Sequence, residues 1–193
     1  YTIPPPTVTG VTPGSGVTNG WTAVTVAGTN FATSGTVAVD FGGAAATGVA
    51  VVNSTTLTCV TPAHAAGFVA VKVTNPDLQF GSLSNAYQYI LGPAPTVGGV
   101  SPTSGPAVGG TAVTVTGTGF GSGATVVFDA TGVAATVVSP TQLTCVTPAH
   151  AGGAVTVAVQ NVDGQSGSLG SAYTFVPAPT VSSVLPIAGP PGR

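Results

Sequence analysis

The chain has 193 residues, of which only 3% are charged, against roughly a quarter in ordinary soluble domains. Its basic residues are Lys72 and Arg193 and its acids are Asp40, Asp77, Asp129 and Asp163. That balance excludes nucleic acid and anionic lipid surfaces as partners, because both are held through several Lys/Arg–phosphate contacts. The mean hydropathy is positive, +0.53. Val and Ala nonetheless alternate with Thr, Ser and Gly throughout, and no run reaches the roughly 18 apolar residues of a spanning helix, so membrane insertion is not expected.

The first segment, from Pro4 through Thr7-Val8-Thr9-Gly10-Val11-Thr12 to Pro13, reads as an edge strand, since proline is excluded from central strands. It has two relatives, Pro95-Thr96-Val97 through Pro102 and Pro179-Thr180-Val181 through Val184-Leu185-Pro186. Next come Thr22 to Phe31 and the matching Thr111 to Phe120, where Val alternates with Thr or Ala and the segment closes on Gly-Thr-x-Phe. Period-two alternation predicts a half-buried strand, and the tail predicts a turn with an aromatic plug. Thr36 to Phe41 corresponds to Thr125 to Phe128, and Val49 to Val52 corresponds to Ala135 to Val138.

The most telling stretch follows. Leu57-Thr58-Cys59-Val60-Thr61-Pro62-Ala63-His64 returns unchanged as Leu143-Thr144-Cys145-Val146-Thr147-Pro148-Ala149-His150. One octapeptide used twice implies one structural unit used twice. After it, Phe68 to Asn75 matches Ala154 to Asn161; the odd-numbered valines are expected to face one side and Lys72 the solvent. Ser84 to Tyr89 and Gly170 to Phe175 close the two units.

About seven short strands per unit, separated by Gly, Pro, Asn and Ser turns and without helical periodicity, predict two antiparallel β-sandwiches. The expected division is residues 1–91, residues 92–176 and a tail of residues 177–193 that begins like a third unit. The proline linkers Gly92-Pro93-Ala94-Pro95 and Pro177-Ala178-Pro179 act as semi-rigid spacers, so an elongated rod is expected. Tyr1 does not open a signal peptide, so the chain reads as a mature form or as an excerpt of something longer.

Together, Pro-Thr-Val-x-x-Val-x-Pro, Gly-Thr-x-Phe, Phe41-Gly42-Gly43, Leu-Thr-Cys-Val-Thr-Pro-Ala and the alternating Val strand resemble the IPT/TIG family of immunoglobulin-like domains, twice over nearly the whole chain. The resemblance implies an all-β, early-set immunoglobulin sandwich in each unit. Its hosts include surface and adhesive proteins, carbohydrate-active enzymes, receptors and transcription factors, so it implies no single function. The second unit departs at Phe128-Asp129-Ala130, where the family keeps glycines, which puts the local turn in question.

The candidate site residues are few. His64 and His150 recur one unit apart, which suits turn residues at strand ends better than ligands of one metal ion. Cys59 and Cys145 read as buried thiols, with a cross-chain or interdomain bridge as the alternative. Asp77 and Asp163 lie in hairpin-like Asn-x-Asp turns, with a weak calcium site between modules as the alternative. Trp21 faces Gly110 in the aligned second unit; it is expected either to pack at a strand start or module contact, or to stack on a sugar. Asn53-Ser54-Thr55 is a glycosylation-type triplet. No nucleophile–base pair, phosphate-binding loop, paired carboxylates, catalytic residue, metal or cofactor is indicated, and no enzyme is expected.

A surface with almost no charge offers little repulsion between copies. The first expectation is therefore a non-enzymatic structural subunit of an extracellular or cell-surface filament, sheath or layer, a homopolymer assembled head-to-tail. In it the tail strand (Pro179, Thr180, Val181, Val184, Leu185, Pro186) and the first strand (Pro4, Thr7, Val8, Val11) meet by strand addition. The alternative is an adhesive or carbohydrate-binding spacer of a larger surface protein or secreted glycosidase, with glycans as partners and Trp21 as the contact aromatic.

Overall fold

The alternating Val-x-Val pattern demands sheets with one face shielded from water, and each unit meets that demand with its own core. The computed structural model describes residues 4–183. Among them there are seventeen strands and no helix. The first unit holds β1 (Thr7–Thr12), β2 (Ser15–Val17), β3 (Ala23–Thr29), β4 (Ala38–Phe41), β5 (Ala44–Ala45), β6 (Thr47–Asn53), β7 (Thr56–Val60), β8 (Gly67–Thr74) and β9 (Phe80–Ile90). The second holds β10 (Thr96–Ser101), β11 (Ser104–Pro106), β12 (Ala112–Thr118), β13 (Thr125–Phe128), β14 (Thr131–Ser139), β15 (Gln142–Val146), β16 (Gly153–Gln160) and β17 (Ser166–Val176).

In the first unit a four-stranded sheet, β1-β3-β7-β6, faces a five-stranded sheet, β2-β9-β8-β4-β5. The second unit repeats the arrangement, except that β14 pairs with both β13 and β15 and so joins the two layers into one eight-stranded sheet. The difference has a local cause. The strand breaks at Ala46, between β5 and β6, and just beyond the break Gly48 takes a left-handed φ of 60° at a register shift between Thr47 and Ala50; the second unit has Ala134 in place of Gly48 and the strand runs on.

The expected edge strand is found, since β1 lies at the rim of its sheet. The anticipated all-antiparallel pairing needs one correction: β2 runs parallel to β9, and β11 parallel to β17. These two short strands follow a proline-bounded turn that carries no alternation, so period-two reading passes over them. The third copy of the leading strand differs too. Residues 177–183 form no strand, and Val184, Leu185 and Pro186 lie outside the described residues.

The octapeptide earns its repetition through packing. Leu57 and Cys59 on β7 point inward with Val24 and Val26 of β3 and Val71 and Val73 of β8; Leu143 and Cys145 do the same with Val113, Val115, Val157 and Val159. The aromatic plugs Phe31 and Phe120 are buried. Phe41, Tyr87 and Tyr89 meet edge to face, as do Phe128, Tyr173 and Phe175. Lys72 projects from the opposite face of β8 and pairs with Asp40 at 3.0 Å, as the alternation requires. At the departure from the glycine pattern, Asp129 adopts the left-handed conformation that Gly42 holds in the first unit, with φ of 51° and 61°. Its carboxylate accepts the N–H of Thr156 on the neighbouring strand β16 at 2.8 Å, and Asp is among the residues that tolerate that backbone.

Candidate functional site: the junction between the two sandwiches

Many polar side chains here support turns or pair across strands, and a distinct group of buried ones gathers in one place. Val17-Thr18-Asn19-Gly20-Trp21 leaves β2 at the end of the first sandwich, where Thr18 and Asn19 are buried although both are polar. Burying such groups costs several kcal/mol by order of magnitude unless each finds a partner, and the partners come from the second unit. The Thr18 hydroxyl donates to Asp163 Oδ2 at 2.6 Å. Asn19 Nδ2 donates to Gly119 O at 2.8 Å, and Asn161 Nδ2 donates to Asn19 Oδ1 at 3.2 Å. Trp21 Nε1 donates to Phe120 O at 2.9 Å. The linker is tied in by Gln165 Nε2, which donates to Gly92 O at 3.1 Å.

The receiving surface is built before the partner arrives. Asn161 is buried, accepts the Gly121 N–H at 3.0 Å and donates to Gly119 O at 2.8 Å, so it pins the 119–121 turn from beneath. The equivalent Asn75 pins the 30–32 turn of the first unit in the same way. The approach is close at Gly121: a Cβ there would sit 3.2 Å from Asn19 Cα and 3.3 Å from Ala63 Cβ, tight enough that the neighbouring unit would have to shift by a few tenths of an ångström. Burial between the units pushes the Asp163 carboxyl up, but the Thr18 hydroxyl and the Gln165 side chain and backbone outweigh it and hold the group below its ordinary value.

Trp21 occupies a left-handed backbone position, φ 62°, where the second unit has Gly110 at 85°. A tryptophan is retained there at a cost of about 1–3 kcal/mol of backbone strain, and its indole N–H spans the junction. Of the two readings of this residue, module contact and sugar platform, the first describes its bond. The residue is still 37% exposed. It lines a crevice of about 160 Å³ whose other walls include Thr47, Thr61 and Pro62 of the first unit and Ser122 and Val137 of the second.

The remaining candidates sit elsewhere. His64 stacks on Tyr89 and His150 on Phe175, with ring centroids 5.1 and 4.9 Å apart, and each Nδ1 donates to the next residue's carbonyl. Cys59 and Cys145 are buried free thiols, and burial pushes each up to about 11. Asp77 supports its own turn by accepting the Gln79 N–H at 3.1 Å; Asp163 does the same for Gln165 and adds the bond across the junction. Asn53 Oδ1 accepts from Thr55 N and Oγ1 on the surface. Among the described residues no three His, Cys, Asp or Glu side chains gather as a metal-binding group. No helix among them is long and apolar enough to cross a membrane. Thr7, Val8 and Val11 pair with β3 of their own sandwich, and Val8 is part of its core.

Sequence reasoning missed Thr18, Asn19 and Asn161 as junction residues. The signal was present: Thr18-Asn19-Gly20-Trp21 aligns with Ala107-Val108-Gly109-Gly110, a polar-to-apolar change inside an otherwise close repeat. A second unit-specific feature lies on the outer face of β8 and β9. Lys72 sits 5.8 Å from the Phe80 ring centroid, and Phe68 and Phe80 are both 61% exposed. The second unit carries Ala158, Ala154 and Ser166 at those places.

Residues 6–89 and 95–175 each match the model of the IPT/TIG domain. The chain belongs to the IPT/TIG family. It carries two such domains in tandem, and their junction is the contact described above. No curated protein matches the chain. Among solved structures, the plexin A4 full extracellular region is similar at 25% identity, covering 89% of this chain and 18% of that one, with a TM-score of 0.45. SGBP-B from a complex xyloglucan utilization locus in Bacteroides uniformis is similar at 19% identity, 89% and 50% coverage and a TM-score of 0.41. The surface glycan-binding protein PbSGBP-B from Prevotella bryantii gives 17%, 91% and 43%, and 0.38. The chain spans half or less of the length of each of these structures.

Proposed function

We propose that the chain is a non-enzymatic structural module of an extracellular or cell-surface protein, two TIG domains locked end to end into a stiff segment that holds or spaces other parts. The observation that carries this reading is the hydrogen-bonded junction, in which Thr18, Asn19 and Asn161 are buried and find partners across the domains. Buried polar groups with directional partners favour one orientation over many. Small-angle X-ray scattering tests it. The wild-type chain is expected to fit one fixed arrangement, and Gly121→Val, which drives a side chain into the Asn19 backbone, is expected to broaden the distance distribution without unfolding either core. Wild-type scattering that requires an ensemble of hinge angles sinks the reading.

A second reading, carbohydrate binding, is favoured by the junction crevice. An exposed aromatic face beside the hydroxyl-bearing Thr47, Thr61 and Ser122, with no charged lining residue, suits a neutral sugar ring. Trp21 is the chain's single tryptophan, so its fluorescence reports this crevice alone. Saturable shifts on titration with neutral oligosaccharides, matched by binding heat in isothermal titration calorimetry that Trp21→Gly loses, support glycan binding; flat titrations at millimolar sugar reject it.

A further inference from the structure

The junction is built from the two least durable dipeptides of the chain. Asn19-Gly20 is its one Asn-Gly pair and Asp163-Gly164 its one Asp-Gly pair. In such pairs a main-chain nitrogen unencumbered by a neighbouring side chain can attack the preceding side-chain carbonyl carbon. Thr18, beside the first pair, donates to Asp163 of the second at 2.6 Å.

The fold forces the Asn-Gly pair into existence. Gly20 holds a left-handed φ of 78°, and a Cβ there would meet Pro62 C at 2.5 Å and Ala63 N at 2.7 Å, so no other residue fits. Gly109 has the same φ and the same close contact with Pro148 and Ala149 in the second domain, but it follows Val108, whose side chain cannot react. The first domain has asparagine at that place, and both ends of its amide are used across the junction. Nδ2 donates to Gly119 O at 2.8 Å, and Oδ1 accepts from Asn161 Nδ2 at 3.2 Å.

The reaction needs a mobile Asn19 side chain, a free Gly20 nitrogen and water. The Gly20 nitrogen bonds to Asn19 Cγ and loses its proton, the side-chain nitrogen leaves as ammonia, and water then opens the resulting succinimide at either carbonyl, giving aspartate or isoaspartate in place of Asn19. The closed junction denies all three requirements. Asn19 is 7% exposed, its amide is held at both ends, and the Gly20 N–H donates to Val17 O at 3.0 Å. The partners of the amide belong to the second domain, so they depart when the domains part; only the Val17 bond stays with the loop.

We propose that Asn19-Gly20 makes the junction a one-way latch: closed, it shields Asn19 from this conversion, and once held open it converts and does not close again in the same geometry. Aspartate at this place sets a carboxylate oxygen against Gly119 O where a donor stood, and it buries a second negative charge in the contact that already holds Asp163. Isoaspartate adds a methylene to the main chain immediately before the tightly packed Gly20. The latch rests on the stiff-module reading, since only a fixed contact can shield the loop.

The test incubates the full chain in mildly alkaline buffer at physiological temperature and follows residue 19 by mass spectrometry of a chymotryptic digest, with the urea-unfolded chain as the unprotected reference. The wild type is expected to convert roughly tenfold or more slowly than the reference, because the rate follows the population of the open form. Gly121→Val, and Thr18→Asp, which sets a carboxylate against Asp163, are expected to approach the reference rate. Asn19→Asp is expected to broaden the X-ray scattering distance distribution as the converted wild type does. A wild type of fixed arrangement that converts at the reference rate overturns the latch alone. Variants whose domains part in scattering yet convert as slowly as the wild type overturn it too, since the loop's own bonds would then be the shield. A wild type whose scattering requires many hinge angles overturns the module reading and the latch together.

Discussion

The bond from Thr18 to Asp163 is the most exacting test of the junction, and a double-mutant cycle isolates it. Thr18 is fully buried and its hydroxyl meets the carboxylate at 2.6 Å, whereas Asp163 retains access to solvent. A hydrogen bond to a charged group contributes about 1.5–3 kcal/mol when both partners are shut away from water. Here the carboxylate recovers water when its donor is lost, so the lower end applies, about 1–1.5 kcal/mol. Thr18→Val keeps the shape and replaces the hydroxyl with a methyl group, which returns a few tenths of a kcal/mol by burial. The single variant is therefore expected to lose roughly 1 kcal/mol or less. Asp163→Ala also loses the support for its own turn, and that part cancels in the cycle. Urea unfolding followed by Trp21 fluorescence reads the junction, while far-ultraviolet circular dichroism reads both cores. The expected coupling energy is about 1 kcal/mol in the fluorescence transition. A coupling within about 0.3 kcal/mol of zero would show that the bond is incidental and that the linker alone sets the orientation.

Acid should open the same contact. Asp163 is held below its ordinary value in the folded chain, so its contribution is present above the unfolded value and lost as pH falls through the folded one. The Trp21 signal of the junction is thus expected to change below about pH 4, with the acid transition diminished in Asp163→Ala; identical acid profiles for the two proteins would refute the assignment. The paired tyrosines make a cleaner contrast. Tyr87 and Tyr173 carry buried hydroxyls without a hydrogen-bond partner, whereas the Tyr89 hydroxyl donates to Pro62 O at 2.9 Å. Tyr87→Phe and Tyr173→Phe are expected to be neutral or stabilising by up to about 1 kcal/mol, and Tyr89→Phe to cost about 1 kcal/mol, in denaturant titrations. Equal losses in all three would mean that ring packing rather than the hydroxyl dominates.

Much of the architecture was legible because it rests on short-range pattern. The odd-numbered valines of β8, the aromatic plugs Phe31 and Phe120 and the edge position of β1 follow from alternation, turn chemistry and proline, each of which acts within a few residues. The octapeptide announced the duplication, and the family motifs named the sandwich. The junction was not legible in the same way. Asn161 looked like a turn residue, and it is one; that it also receives Asn19 depends on how two sandwiches meet, which no local period encodes. Trp21 was marked as unusual by its lack of an aromatic counterpart, yet sequence could not choose between stacking on a sugar and spanning to Phe120. The short parallel strands β2 and β11 escaped because three residues carry no periodicity.

The duplication makes the chain its own control, and the comparison of its halves separates fold from function. Where the two domains agree, the shared residue works inside its own sandwich. Thr61 and Thr147 accept the N–H groups of Thr22 and Thr111, and His64 and His150 cover the same aromatic position. Where they disagree, the difference lies at the junction. Thr18, Asn19 and Trp21 reach the second domain through side-chain donors; Ala107, Val108 and Gly110, at the equivalent place in the second domain, carry no such donor. The Gly164 and Leu78 pair differs in the same way: the second domain keeps glycine in the turn whose Asp163 meets the first domain, while the first domain carries Leu78 there, exposed and in the same left-handed conformation.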